Sequence, residues 1–164
     1  MRVTIQRVKE ASVLIDNQIK SEITKGLVVF LGISTDDNYE DVKWLCKKIC
    51  SLRIFPDVND KLNKSLKDSD GEILLISQFT LFASTKKGSR PSYIRSARPS
   101  KALPLYESFH SNLEHLLGKE IASGKFGADM KVYLCNDGPV TINIDSKIKI
   151  LSDLKLFGLI SLGC

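Results

Sequence analysis

Apolar and polar positions alternate along the first fifteen residues. Val3 and Ile5, then Val13 and Ile15, recur with a period of two. That period predicts two strands around Lys9-Glu10-Ala11-Ser12. Asp16-Asn17 supplies turn chemistry ahead of a further strand over Gln18–Ile23. Gly26-Leu27-Val28-Val29-Phe30-Leu31-Gly32-Ile33 is an unbroken apolar run, which predicts a strand buried on both faces. The period then changes. Val42, Leu45, Cys46, Ile49 and Leu52 fall on one helical stripe, with Asp37 or Asn38 to cap it and Asp41 in its first turn. The stretch from Pro56 to Gly71 is polar and turn-rich, a surface connection, and Glu72–Leu81 predicts the next strand. Tyr106, Phe109, Leu113 and Leu116 mark a second helix, with Ser100 as its cap, Pro104 in or just before its first turn and Gly118 at its end. Met130–Cys135 and Val140–Ile144 predict two more strands, joined by Asn136-Asp137-Gly138-Pro139. Most connections are too short for parallel crossovers. The expectation is an α/β (α+β) domain with a largely antiparallel sheet and two main helices.

A chain of 164 residues suits one domain, and 43% hydrophobic with 26% charged residues excludes wholesale disorder. No apolar run approaches the roughly twenty residues of a membrane helix. Met1 to Arg7 interrupts each short apolar run with a polar group, so a signal peptide is not expected. The expected setting is cytoplasmic, away from membranes. Lys and Arg number 24 against 19 Asp and Glu, an excess that permits a polyanionic partner without requiring one. His110 and His115 are the only histidines and do not share a helix face, which counts against a His-built metal or catalytic centre. Cys46, Cys50, Cys135 and Cys164 read as free thiols of a reducing compartment, the first three as buried structural residues. No metal and no cofactor is expected, since neither zinc spacing nor a nucleotide-binding glycine motif occurs.

Three segments are candidates for chemistry. Ser77-Gln78-Phe79-Thr80-Leu81 closes an apolar strand with polar groups that can face a cleft; from the pattern alone a sheet edge satisfying turn hydrogen bonds is the plainer reading. Asn136-Asp137-Gly138-Pro139-Val140-Thr141 is a strong turn signal, and a plain hairpin accounts for it as well. Ser84 to Lys101 carries Lys86, Lys87, Arg90, Arg95, Arg98 and Lys101 with no acidic residue. It is either a solvated loop or a place for phosphates beside a cleft.

Taken together, these segments resemble the D-aminoacyl-tRNA deacylases of the bacterial and eukaryotic type. The two signatures of that family, Ser-Gln-Phe-Thr-Leu and Asn-x-Gly-Pro-Val-Thr, stand intact and about 60 residues apart. The likeness extends to Ile5-Gln6-Arg7-Val8, Arg53-Ile54-Phe55, Gly88-Ser89-Arg90-Pro91-Ser92 and Gly124-Lys125-Phe126 with Ala128-Asp129-Met130. It runs to about Ile144. The division is therefore a single domain over 1–145 and an extension of unknown role over 146–164, where Ile148, Leu151, Leu154 and Gly158 hint at a helix.

The resemblance implies a homodimer forming a barrel-like body, with aminoacylated tRNA as substrate and hydrolysis of its ester as the reaction. It implies that Gly138 and Pro139, joined by a cis peptide, reach into the partner's pocket and hold the α-ammonium with their carbonyls. A backbone wall there would exclude L side chains, tolerate many D-residues and accept glycine. Backbone N–H groups at Phe79 and Thr80, within Ser77–Thr80, would bind the ester oxygen; Thr80 as nucleophile is the competing assignment. Asn136 and Thr141, which flank the loop, would belong with it to the substrate-binding residues. Arg7 would lock it, or is one more surface arginine. Phe126, Ala128 and Met130 would meet the terminal adenine, or are core. Lys86, Lys87, Arg90, Arg95 and Arg98 would hold acceptor-stem phosphates. Two other readings compete: a paralogous editor removing L-alanine, disfavoured by the bulk of Phe79 and favoured by a trans Gly138–Pro139 bond, and a non-catalytic nucleic-acid-binding module.

Overall fold

The structure, a computed structural model, describes residues 1–148. The helical hint at Leu151, Leu154 and Gly158 lies outside them. The elements are β1 (Arg2–Ile15), β2 (Gln18–Ile23), β3 (Gly26–Gly32), α1 (Tyr39–Ser51), β4 (Phe55–Pro56), β5 (Leu62–Lys64), β6 (Glu72–Ser77), a 3-10 turn (Phe79–Phe82), α2 (Pro99–Leu117), β7 (Ala122–Ser123) and β8 (Lys131–Asp145). The main sheet runs β2-β1-β3-β6-β7, with β8 on the other side of β1. It curls until its ends meet: the Ser21 hydroxyl donates to the Ser123 carbonyl at 2.8 Å. The result is a nearly closed, barrel-like sheet.

Closure separates two apolar clusters. Val8, Ala11, Val13, Val28, Leu74 and Ile76 lie together on one face. Val3, Ile5, Leu27, Val29, Leu31 and Leu75 face the helices and pack on Leu45, Ile49, Phe109 and Leu113. Strand β3 serves both clusters, which is why its sequence is apolar without alternation. The sheet is antiparallel around β1. The β3–β6 and β6–β7 pairs are parallel, a feature the short-connection argument missed. Helices α1 and α2 supply those crossovers, each spanning the return between parallel neighbours.

Asn38 caps α1 in a reciprocal box with Asp41. Asp37 instead accepts the Met1 amine at 2.5 Å. Helix α2 begins at Pro99 with Arg98 as its cap residue, so Ser100 caps nothing and Pro104 sits inside the helix. The N–H that Pro104 lacks would have met the Ser100 carbonyl, and both residues face solvent, where water can substitute. Cys46 is buried and Cys50 half-buried; Cys135 is exposed, because odd-numbered positions in this part of β8 point outward.

Three departures from the expected pattern shape the site. First, β1 is one strand, not two. The polar pair Lys9-Glu10 marks a register shift against β8 between Val8 and Glu10 rather than a turn. Second, β6 stops at Ser77, and Phe79–Phe82 coils into the 3-10 turn. Gly32 makes the room: a Cβ there would lie 2.9 Å from the Leu81 Cβ and 3.0 Å from the Gln78 carbonyl oxygen. Third, Asn136–Pro139 is no hairpin. Strand β8 passes along β1 for its whole length, with Val8 opposite Asn136 and Gln6 opposite Thr141. Arg7 alone therefore faces Asp137, Gly138, Pro139 and Val140, which arch out as a large bulge.

Arg7 is buried, not a surface arginine. Its Nε donates to the Asp137 carbonyl at 3.1 Å and pairs with the Asp137 carboxylate at 3.3 Å. Its Nη1 donates to the Ile54 carbonyl at 2.5 Å. Gly138 has φ +109, and a Cβ on it would stand 2.5 Å from Arg7 Nη2. The Gly138–Pro139 bond is trans, as every peptide bond is among the described residues, which corrects the cis expectation. Trans is the lower-energy isomer by about 0.5–1 kcal/mol, and the ladder pairs at Asn136 and Thr141 hold the bulge within an extended strand.

Past β8, Ser146 is buried, accepting from the Met1 amine at 2.9 Å and donating to Asp41 at 2.6 Å, while Lys147 donates to Asp41 at 2.6 Å. Burial would raise the Asp41 pKa; the hydrogen bonds from Lys147, Ser146 and the Asn38 N–H outweigh it and hold the carboxyl below its usual range. A folded-state pKa below the unfolded value of about 3.9 gives stability that is present above about pH 4 and lost as pH falls through the lowered value. Asp41→Asn should flatten the acid limb of a Tm–pH profile; an unchanged limb would count against this network. Gly138→Ala forces both the positive φ and the Arg7 contact, and should lower stability by about 1–3 kcal/mol in urea unfolding. An unaltered midpoint would mean the bulge is not braced.

Candidate active site

A cavity of about 460 Å³ opens where β6 ends. Ser77, Gln78 and Phe79 line one side; Phe126, Ala128 and Met130 line another. The structure thus joins the start of the first signature with the residues placed near the adenine. Phe126 and Met130 are half-buried, each partly packed on a core cluster, so they serve core and cavity together. The Tyr106 ring supports Phe126 at 5.5 Å between centroids. The Tyr106 hydroxyl is anchored on the Leu75 carbonyl at 3.3 Å, and burial pushes its pKa up to about 12, so it stays neutral.

At the rim the 3-10 turn begins. The Gln78 N–H donates to the Leu31 carbonyl at 2.7 Å, the last bond before the chain leaves the sheet. The Phe79 and Thr80 N–H groups that follow have no acceptor among the described residues. They are the open donors expected at the start of a helical turn. The Thr80 hydroxyl accepts from the Gln78 amide at 2.5 Å. That partner is a proton donor, not a base. His110 pairs with Glu114 on α2 at 3.4 Å and does not approach Thr80 among the described contacts.

Gly138, Pro139, Asn136 and Thr141 do not line the cavity. They stand exposed on β8, with Thr141 donating to Gln6 across the ladder. One chain therefore holds the two signatures apart. Lys86, Lys87, Arg90, Arg95 and Arg98 are all exposed on the loop between the 3-10 turn and α2. Ser84 and Ser92 close that loop with paired backbone bonds of 2.8 and 2.9 Å. Its far end returns to the cavity: the Arg95 guanidinium lies 5.8 Å from the Phe82 ring centroid, and Tyr93 meets the Phe79 ring edge-on at 5.1 Å.

Sequence reasoning missed Ser96, Ala97, Pro99 and Ala102, which complete the cavity wall. Small residues at the end of a basic loop and in the first turns of α2 carry no pattern that marks them. Only the loop's return past Ile33, where the Ala97 N–H donates at 2.9 Å, brings them in. No helix among the described residues is long and apolar enough to cross a membrane.

The family profile described as D-Tyr-tRNA(Tyr) deacylase matches residues 4–145. A protein of Bacteroides fragilis named D-aminoacyl-tRNA deacylase is 60% identical over 149 residues, 91% of this chain and 99% of that protein. One of the same name from Flavobacterium psychrophilum is 59% identical over the same shares. Among solved structures, one titled c-Myc DNA Unwinding Element Binding Protein superposes with a TM-score of 0.83 at 38% identity, covering 88% of this chain and 98% of that one. A second, titled as a probable eukaryotic D-amino acid tRNA deacylase, has a TM-score of 0.75 at 17% identity, covers 87% of this chain and 98% of that one, and supports the fold alone. Two intact signatures, the barrel-like sheet and a match over nearly all the described residues lead to one assignment: the chain belongs to the D-Tyr-tRNA(Tyr) deacylase family, a family of ester hydrolases.

Proposed function

We propose that the protein hydrolyses the ester of D-aminoacyl-tRNA, releasing a free D-amino acid and tRNA, and so proofreads chirality during translation in the cytoplasm. The observation that carries this reading is the pair of unpartnered N–H groups at Phe79 and Thr80 on the rim of a cavity walled by Phe126, Ala128 and Met130. An apolar slot beside two oxyanion donors suits a nucleotide base followed by an ester carbonyl. The terminal adenine enters the cavity. The ester oxygen meets the two N–H groups. Water adds to the carbonyl carbon, the oxyanion collapses, and the bond to the ribose oxygen breaks with a proton passing to that oxygen. An aminoacyl ester is activated by its own α-ammonium and ribose hydroxyl, so a strong protein base is not required.

Chirality is assigned to the bulge. Gly138 and Pro139 project away from their own chain's cavity, so the proposal places them in the pocket of a second copy, as a homodimer. Arg7 braces the segment into a stiff backbone wall. Such a wall discriminates by collision, accepts glycine and is indifferent to which D side chain is present. Phosphates of the acceptor stem would lie along Lys86, Lys87, Arg90, Arg95 and Arg98.

A second reading has one observation in its favour. The trans Gly138–Pro139 bond matches what was expected of an editor of L-alanyl-tRNA. The relatives near 60% identity carry the D-specific name and favour the first. Matched D-tyrosyl-, L-tyrosyl- and L-alanyl-tRNA distinguish them. Rapid release from the D-ester alone is the expected result; release from the L-alanyl ester alone would establish the paralogue, and salt-sensitive binding without turnover would leave only a nucleic-acid-binding module. Thr80→Ala should keep most of the deacylation rate, since its backbone N–H remains; a loss near 10³-fold would make the hydroxyl the nucleophile. Raising salt from about 50 to 200 mM should weaken tRNA binding by more than tenfold if the basic loop contacts several phosphates.

A further inference from the structure

We propose that Ser96 is a positioning residue for the ester-hydrolysing turn, aiming the Thr80 N–H by gripping the other end of the same peptide unit. This rests on the deacylase reading of that turn. The Ser96 hydroxyl donates to the Phe79 carbonyl at 2.9 Å. A peptide unit is planar, and in the trans form its C=O and N–H point in opposite directions. Fixing the Phe79 carbonyl therefore fixes the direction of the Thr80 N–H, which has no protein acceptor among the described residues.

The 3-10 turn has i→i+3 bonds of its own, but their geometry is poorer than that of α-helical bonds. It is four residues long, and its entry residue Gln78 makes no side-chain cap bond to it. Ser96, by contrast, is held firmly. Its own N–H donates to the Tyr93 carbonyl at 2.9 Å, the Thr35 N–H donates to the Arg95 carbonyl at 3.1 Å, and the Ala97 N–H donates to the Ile33 carbonyl at 2.9 Å. Ser34, the bridge partner of Ser96, is itself buried and bonded through its N–H to Asp37 at 2.7 Å. The hydroxyl is thus presented from a backbone tied to the end of β3, and it lines the cavity.

The bond also acts electronically. A hydrogen bond accepted by a carbonyl polarises the amide and strengthens its N–H as a donor, by something like 10–30% per bond. Both effects favour the oxyanion over the ground-state carbonyl, so they appear in the chemical step rather than in tRNA binding. Ser96 stands between Arg95 and Arg98. The loop assigned to the phosphates is therefore the loop that aims the donor.

The test uses the full chain and D-tyrosyl-tRNA. Ser96→Ala should lower single-turnover kcat by roughly ten- to a hundredfold, less than outright removal of an oxyanion donor, with KM within about twofold. Ser96→Thr, which keeps the hydroxyl, should restore the rate. The Thr80 amide ¹⁵N resonance should shift in Ser96→Ala while resonances of α1 stay in place. An unchanged kcat in Ser96→Ala, a loss confined to KM, or a Thr variant as slow as the Ala variant would overturn the proposal. Should Ser96→Ala fail to fold, the Thr variant with wild-type kcat and an unmoved Thr80 resonance supports it, and one that is slow overturns it. A wild-type protein that releases nothing from D-tyrosyl-tRNA refutes the deacylase reading itself, an outcome distinct from an active enzyme indifferent to Ser96.

Discussion

The Arg7 guanidinium, buried within β1, is bonded to two carbonyls on separate parts of the chain, at Asp137 and Ile54. It stands opposite the one stretch where the β1–β8 ladder opens. Without it the bulge would lose its main internal anchor, and a buried carbonyl at Ile54 would lose its donor, a cost of about 1–3 kcal/mol. The positive φ of Gly138 and the close approach of Arg7 Nη2 belong to the same arrangement. A strand that must protrude and yet remain stiff needs an anchor of this kind, because an unbraced bulge of several residues would sample many conformations.

The rest of the sheet does the corresponding job for the 3-10 turn. Strand β3 is buried on both faces and ends at Gly32, where the absence of a side chain lets Leu81 and Phe82 fold down. The turn's first two N–H groups are left open at the mouth of the cavity. Ser96 also reaches the turn, at the Phe79 carbonyl, from a backbone pinned to Ile33 and Thr35. Donor groups made of backbone need this rigidity, since their direction is their only contribution.

Much of this was legible in the residues. The unbroken apolar run foretold β3, and the helical stripe from Val42 to Ile49 foretold α1. Ser77–Thr80 and Phe126–Met130 were marked by their likeness to a family, and Ser77–Phe79 and Phe126–Met130 do share one cavity. What failed did so for physical reasons. Period-two alternation shows which face a residue occupies, but it cannot separate a turn from a bulge. Lys9-Glu10 and Asn136–Pro139 both broke the pattern while the chain continued straight on. The end of β6 was misplaced because Phe79, Leu81 and Phe82 are as apolar in a coil as in a strand. The parallel pairing of β6 was hidden because nothing in a buried apolar strand records the direction of its neighbour. Ser96 carried no signal, since its importance comes from a contact seventeen residues away in sequence.

In the proposed mechanism the chemistry divides between two places that one chain keeps apart: the 3-10 turn beside the cavity, and a braced backbone bulge on an exposed strand. The central claim is that these form one site across two copies. Mixing subunits tests it most directly, one carrying Pro139→Trp and inactive alone, the other Phe79→Pro, which deletes one of the two donor N–H groups, and inactive alone. The account predicts that the mixture regains D-aminoacyl-tRNA hydrolysis, because each mixed dimer contains one site with an intact turn and an intact bulge. A mixture as inactive as its components, with mixed dimers demonstrated, would contradict it.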